Sequence, residues 1–121
     1  MKIYTSYFNN LNNIPSNIIP ISICLKPPLV YCNIINIKEL APTKDILYQY
    51  KMNKNKYIYT NRFKTEILDK LNAYGIYIKL QRLTNNNDCV LLCYEDKTKF
   101  CHRHLVAEWL SKSLDITVEE L

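Results

Sequence analysis

The run Cys89 to Tyr94, CVLLCY, is short, apolar and unbroken, and it constrains the fold more than any other stretch. An apolar run without polar alternation suits a strand covered on both faces, the mark of a central strand in a parallel sheet. The charged residues from Glu95 to Lys99 end it, since they cannot be core. Phe100 then leads into Leu105, Val106, Trp109 and Leu110, apolar residues at helical spacing. With Cys101 as N-cap, Phe100 and Leu105 become the partners of a hydrophobic staple.

This order predicts where chemistry gathers. Cys93, Tyr94 and Glu95 fall at the carboxyl end of the strand. Cys101, His102 and Arg103 fall at a helix N-terminus, where free N–H groups and the dipole favour anions and lower a thiol pKa. Ligands of open α/β sheets bind at that edge. Cys101 is therefore read as nucleophile or ligand, beside the plainer reading of a small buried residue at a helix start. His102 and Glu95 are its acid–base partners. Arg103, Cys93 and Tyr94 are read as ligand-binding residues. A cation at the start of a helix opposes the dipole, which points to a partner for Arg103: Glu95, or an anionic ligand. His104 lies four residues before Glu108 and is read as half of a surface pair.

Other chemistries are excluded. One glycine leaves no Walker or dinucleotide loop, so no nucleotide cofactor is called for. The spacing Cys93-x7-Cys101-His102-x-His104 matches no standard zinc finger or ribbon, and no metal is expected from it. A strand–Cys–loop–helix order also fits rhodaneses and cysteine phosphatases. Those need a short phosphate-binding loop closed by Arg, whereas this loop carries Glu95 and Asp96.

The chain in order predicts an α/β domain. Lys2 to Phe8 reads as a first strand, Asn9 to Asn17 as a turn-rich connection, and Ile18 to Cys24 as a second strand with Pro20 near its start. Leu25 to Asn33, with Pro27 and Pro28, is a loop at the same edge as Glu95. Ile37 to Leu40 reads as one helical turn. Thr43 caps a helix from Lys44 to Met52, and the run Asn53 to Lys56 ends it. A second helix is expected from Ile58 to Leu71, burying Phe63, Ile67, Leu68 and Leu71. Asn72 caps a third from Ala73 to Leu83. Gly75 admits another reading, as C-cap of the preceding helix with a strand over Ile76 to Leu80. Thr84 to Asp88 is a polar turn. Ile116 to Glu120 is a last strand or a frayed tail. The sum is one domain over 1–121, α/β, with a small, mainly parallel sheet of three or four strands flanked by helices.

The five cysteines form no Cys-x-x-Cys pair, which predicts reduced thiols and a cytoplasmic protein. The apolar stretch from Ile18 to Leu25, broken by Pro20 and Ser22, is too short to span a bilayer, so no membrane partner is expected. The net charge of +5 invites nucleic acid. Lys44 to Lys64 interleaves basic residues, Lys51, Lys54 and Lys56 among them, with Tyr48, Tyr50, Tyr57, Tyr59 and Phe63, as single-stranded nucleic acid binding requires. The plainer reading is two amphipathic helices with solvated lysines, and heavy use of Ile, Asn, Lys and Tyr, all with AT-rich codons, favours it. The oligomeric state is left open.

The segments LLCYE and FCHRHLVAEWL, with the opening MKIYTSYF, IIPISIC and LAPTKDILYQYK, resemble the short members of the bacterial, archaeal and phage family called domain of unknown function 488. The resemblance extends over most of the chain. It implies the α/β fold, favours the helix from Ala73, and places Glu95 within the family's Cys-Tyr-Glu motif. Short members usually carry an Arg near Cys24 or Leu25 and a Trp near Val30. This chain has neither; Lys26 supplies a charge there but not a bidentate fork. Two functions are carried forward. One is an enzyme or small-ligand binder for an anion or nucleotide at the sheet's carboxyl edge. The other is a non-catalytic module for nucleic acid or protein, of the kind phage or defence systems use.

Overall fold

The computed structural model describes residues 1–121. Five parallel strands run β1 (Ile3–Tyr7), β2 (Ile19–Ser22), β3 (Ile35–Asn36), β4 (Cys89–Cys93) and β5 (Glu119–Glu120), in the spatial order β3-β2-β4-β1-β5. The expected α/β class and parallel sheet are found, with five strands rather than three or four. The member with no counterpart in the sequence reading is the two-residue edge strand β3, too short to leave a hydrophobic pattern; β5 falls within Ile116 to Glu120, read as a last strand or a frayed tail.

The apolar run is central, as its composition demands. Tyr7 pairs with Cys93 and Ile3 with Cys89 on one side, and Ile19 to Ser22 pair with Cys89 to Leu92 on the other. All five residues of β4 are fully buried. Cys89 and Leu91 face the main core beneath the helices; Val90 and Leu92 face a smaller cluster with Phe8, Ile18 and Cys24. Burying Val90, Leu91 and Leu92 alone stabilises the fold by roughly 1.5–3 kcal/mol each. Pro20 is tolerated inside β2 because Ile19 and Ile23 donate to the β4 side, so the donor it lacks falls toward β3, whose pairing begins only at Ile21.

Of the helices α1 (Lys44–Asn53), α2 (Lys56–Glu66), α3 (Ala73–Leu83) and α4 (His102–Leu114), all but α2 begin directly after a predicted N-cap residue. The Thr43 hydroxyl accepts from the Ile46 N–H, and Asn72 Oδ1 accepts from the Gly75 N–H at 2.9 Å. Gly75 therefore lies in the first turn of α3, and the alternative strand over Ile76 to Leu80 is not formed. Helix α2 starts two residues before Ile58, because Asn55 accepts from the N–H groups of Tyr57 and Ile58. It ends at Glu66, and Leu68–Lys70 is a separate 3-10 turn. With only one glycine in the chain, Lys54 and Asp115 take the left-handed conformation at helix ends, at φ 54° and 53°. No helix is long and apolar enough to cross a membrane.

Candidate functional site

At the carboxyl edge of the sheet, the end of β4, the loop after β2 and the start of α4 enclose a hollow of about 330 Å³. Cys93, Tyr94, Glu95, Cys101 and His102 all line it, so five of the six residues singled out in the sequence meet there. Tyr50, Tyr59 and Phe100 form an aromatic wall. Tyr59 meets Phe100 edge-on at 5.0 Å between ring centres, and Tyr50 packs on both. The Tyr94 hydroxyl donates to the Lys26 carbonyl, which bridges the two strand-end loops. A second hollow of about 430 Å³ shares Tyr50, Glu95 and Phe100 with the first and adds Lys54, Lys56, Thr98 and Lys99.

Cys101 is the N-cap residue of α4, with extended backbone and no capping bond from its side chain. Its sulfur is therefore not consumed by the helix. Phe100 and Leu105, the expected staple pair, both join the main core. His102 is buried, with Nε2 2.6 Å from the Ile23 carbonyl oxygen and Nδ1 3.7 Å from Cys101 Sγ. A carbonyl only accepts, so Nε2 carries the proton and the Nδ1 lone pair faces the thiol side. Burial pushes the His102 pKa down to about 4; the hydrogen bond to Ile23 opposes this, and the charges of Arg103 and His104 reinforce it. The imidazole is thus neutral at ordinary pH.

Arg103 lies elsewhere. It is wholly buried and does not line the hollow. Its Nε and Nη2 donate to the Glu120 carboxylate, at 3.1 and 2.8 Å. Its Nη1 donates to Cys93 Sγ at 3.2 Å and to the Glu95 carbonyl, and the guanidinium sits over the Tyr7 ring. This corrects the reading of Arg103 as a ligand-binding residue. Its partner is neither the Glu95 side chain nor an anion but Glu120, in the segment that the sequence left between strand and tail. Burial works against the charge of Glu120, yet the bonds from Arg103 and Thr5 hold its carboxyl below the usual range. The Glu95 carboxylate is half-exposed, 3.9 Å from Lys99 Nζ.

The side chains of Cys93 and Cys101 meet, with their Cα atoms 7.4 Å apart, wider than the roughly 4.4–6.8 Å a disulfide spans, while Cys24, Cys32 and Cys89 are free thiols. An eight-residue separation carries no pairing signal, and only the approach of the strand end to the helix start creates the contact. Burial raises the thiol pKa of Cys24 to about 11 and of Cys89 to about 12, as suits core residues. The basic–aromatic segment splits in two. Tyr59 is buried and Tyr50 half-buried toward the hollow, whereas Tyr48, Tyr57, Lys51, Lys54 and Lys56 are exposed. Tyr50, Tyr59 and Phe100 were not foreseen as pocket residues; the only signal was their aromatic character.

Residues 33–114 match the family model described as the active DUF488-N3 subclade. No curated protein and no solved structure matches the chain. The match covers more than half of the sequence and includes both halves of the cysteine cluster, so the chain belongs to the domain of unknown function 488 family, in its active DUF488-N3 subclade.

Proposed function

We propose that the hollow at the carboxyl edge binds a small anionic ligand of nucleotide type, and that Glu95, Cys101 and His102 act on it. One observation carries this reading: the thiol, imidazole and carboxylate open into a single hollow walled by Tyr50, Tyr59 and Phe100 and adjoined by a lysine-lined annex. Aromatic rings clamp a flat heterocycle, and Lys54, Lys56 and Lys99 suit its phosphates. Cys93 and Tyr94 contribute to the floor and one side. Arg103 takes no part in binding; it is the brace behind Cys93. The working location is a reducing cytoplasm, in which both site cysteines are thiols. The word "active" in the description of the matching family supports a catalytic over a purely structural reading.

Calorimetric titration of the reduced protein with nucleoside mono- and triphosphates tests the proposal. Binding is expected, and Lys54→Glu with Lys56→Glu should weaken it about tenfold or more, on the order of 1.4 kcal/mol. Failure of every nucleotide to bind, or indifference to the charge reversal, overturns it. A second reading has its own support: Tyr57 is 88% exposed between Lys54, Lys56 and solvent, an open stacking platform for single-stranded nucleic acid. Oligonucleotide binding that survives filling of the hollow by nucleotide would favour that non-catalytic module instead.

A further inference from the structure

The floor of the hollow holds three soft or borderline ligand atoms from two elements. The sulfurs of Cys93 and Cys101 and a ring nitrogen of His102 all lie within 4.8 Å of one another, and all three residues are buried. We infer that Cys93, Cys101 and His102 form a site for a thiophilic divalent cation of the zinc class, with its fourth position open to the hollow. The inference rests on the pocket reading above and names the chemistry at its floor.

Four features support it. Two thiolates and one imidazole are a donor set that zinc takes, and three protein ligands with one open position are the arrangement of a catalytic rather than a structural site. The Nε2–H of His102 is committed to the Ile23 carbonyl, so Nδ1 is the nitrogen left to coordinate. Such an outer bond, fixing tautomer and ring, is what metal-bound histidines usually have. Charge also closes: with both thiols ionised and Arg103 offset by Glu120, a doubly charged ion brings the buried group to neutrality. Finally, the Cα atoms of Cys93 and Cys101 stand 7.4 Å apart. Disulfides usually span about 4.4–6.8 Å, so the backbone spacing at this pair is wider than a disulfide takes. The sequence spacing hid this site because the ligands come from a strand end and a helix start, not from a ribbon or finger.

Binding involves no electron transfer. Two S–H bonds break, two sulfur–metal bonds form, both protons leave to solvent, and Nδ1 supplies its lone pair. Were the two cysteines oxidised to a disulfide, that form would first have to take two electrons and two protons from a thiol reductant. On this assignment Cys101 is a ligand rather than a nucleophile, and Glu95 is the acid–base group beside the open position.

The test is cobalt(II) titration of the full chain kept reduced by a phosphine. One equivalent should give a thiolate-to-cobalt charge-transfer band with the intense visible bands of a tetrahedral site, bleached by zinc. Cys93→Ser, Cys101→Ser and His102→Asn should each weaken binding by about a hundredfold or more, while Cys32→Ser, at an exposed free thiol, should not. Native mass spectrometry of the wild type, reduced and loaded with zinc, gives a readout that needs no variant. No charge-transfer band, no retained zinc, or a pair that stays two mass units lighter in reductant overturns the assignment. Nucleotide titration of the metal-free reduced protein separates the two readings: nucleotide binding without ion binding sinks this inference alone, and the reverse sinks the nucleotide reading alone.

Discussion

Glu120→Gln removes one charge and almost no volume, and it strikes the most heavily bonded ion pair in the fold. Arg103 is 0% exposed, and the side chain of Glu120 is 24% exposed. The carboxylate accepts from Arg103 Nε and Nη2 and from the Thr5 hydroxyl at 2.6 Å. Breaking a buried pair from one side costs about 3–5 kcal/mol, because the remaining charge stays desolvated. Partial exposure of Glu120 lets water screen the loss, which places the expected cost near the lower end, about 3 kcal/mol. Domains of this kind have roughly 5–15 kcal/mol in all, so the variant should fold but unfold early. Urea denaturation followed by Trp109 fluorescence reads the effect. With a slope of about 1.5 kcal/mol/M the midpoint should fall by about 2 M. The double variant Arg103→Met with Glu120→Gln should recover part of this, short of the wild type because the Glu95 carbonyl loses its donor. A midpoint shift under about 0.3 M for Glu120→Gln, or full additivity in the double variant, would refute the claim that the pair is desolvated and coupled.

His102 makes stability depend on acid. Its folded pKa of about 4 lies below the ordinary 6.5, so the unfolded chain binds the proton first; its contribution is whole above pH 6.5 and is lost as pH falls toward 4, about 3 kcal/mol in denaturation midpoints that His102→Asn should flatten. Asp115→Gly should stabilise the protein by up to about 1 kcal/mol, because Asp115 holds φ at 53° at the end of α4, where glycine sits without steric cost; an unchanged or lowered Tm would contradict this.

The parts of the fold visible in the sequence were those decided locally. CVLLCY needs cover on both faces whatever surrounds it, so β4 and its central place were legible. Thr43 and Asn72 announced α1 and α3 because a cap is a contract between residues three apart or fewer, and the helical spacing of Leu105, Val106, Trp109 and Leu110 announced α4. Helix α2 was misplaced at its start because Asn53 to Lys56 reads as one break. Asn55 in fact ends that break by capping the next helix. The pairing of Arg103 with Glu120 was not legible, since it depends on β5 lying beside β1, a decision of the sheet. The inward turn of Tyr50 and Tyr59 was hidden too, because nothing in the sequence sets them apart from the neighbouring Tyr48 and Tyr57, which are exposed.

Arg103 explains why the candidate site residues of this one stretch converge. A cation at the second position of α4 faces the positive end of the helix, which costs about 0.3–1 kcal/mol. The local rule is broken, and the compensation is long-range: Glu120 neutralises the guanidinium from β5, while the same fork holds Cys93 Sγ and the Glu95 carbonyl. One side chain thus ties the last residue of β4, the first turn of the loop and the edge strand to the start of α4. Cys93, Cys101 and His102 then have no freedom to drift apart, because the strand end is bonded to the helix that carries the other two. A residue placed against its own propensity and buried behind the hollow is what positioning a site requires, and it leaves ligand contact to the groups in front.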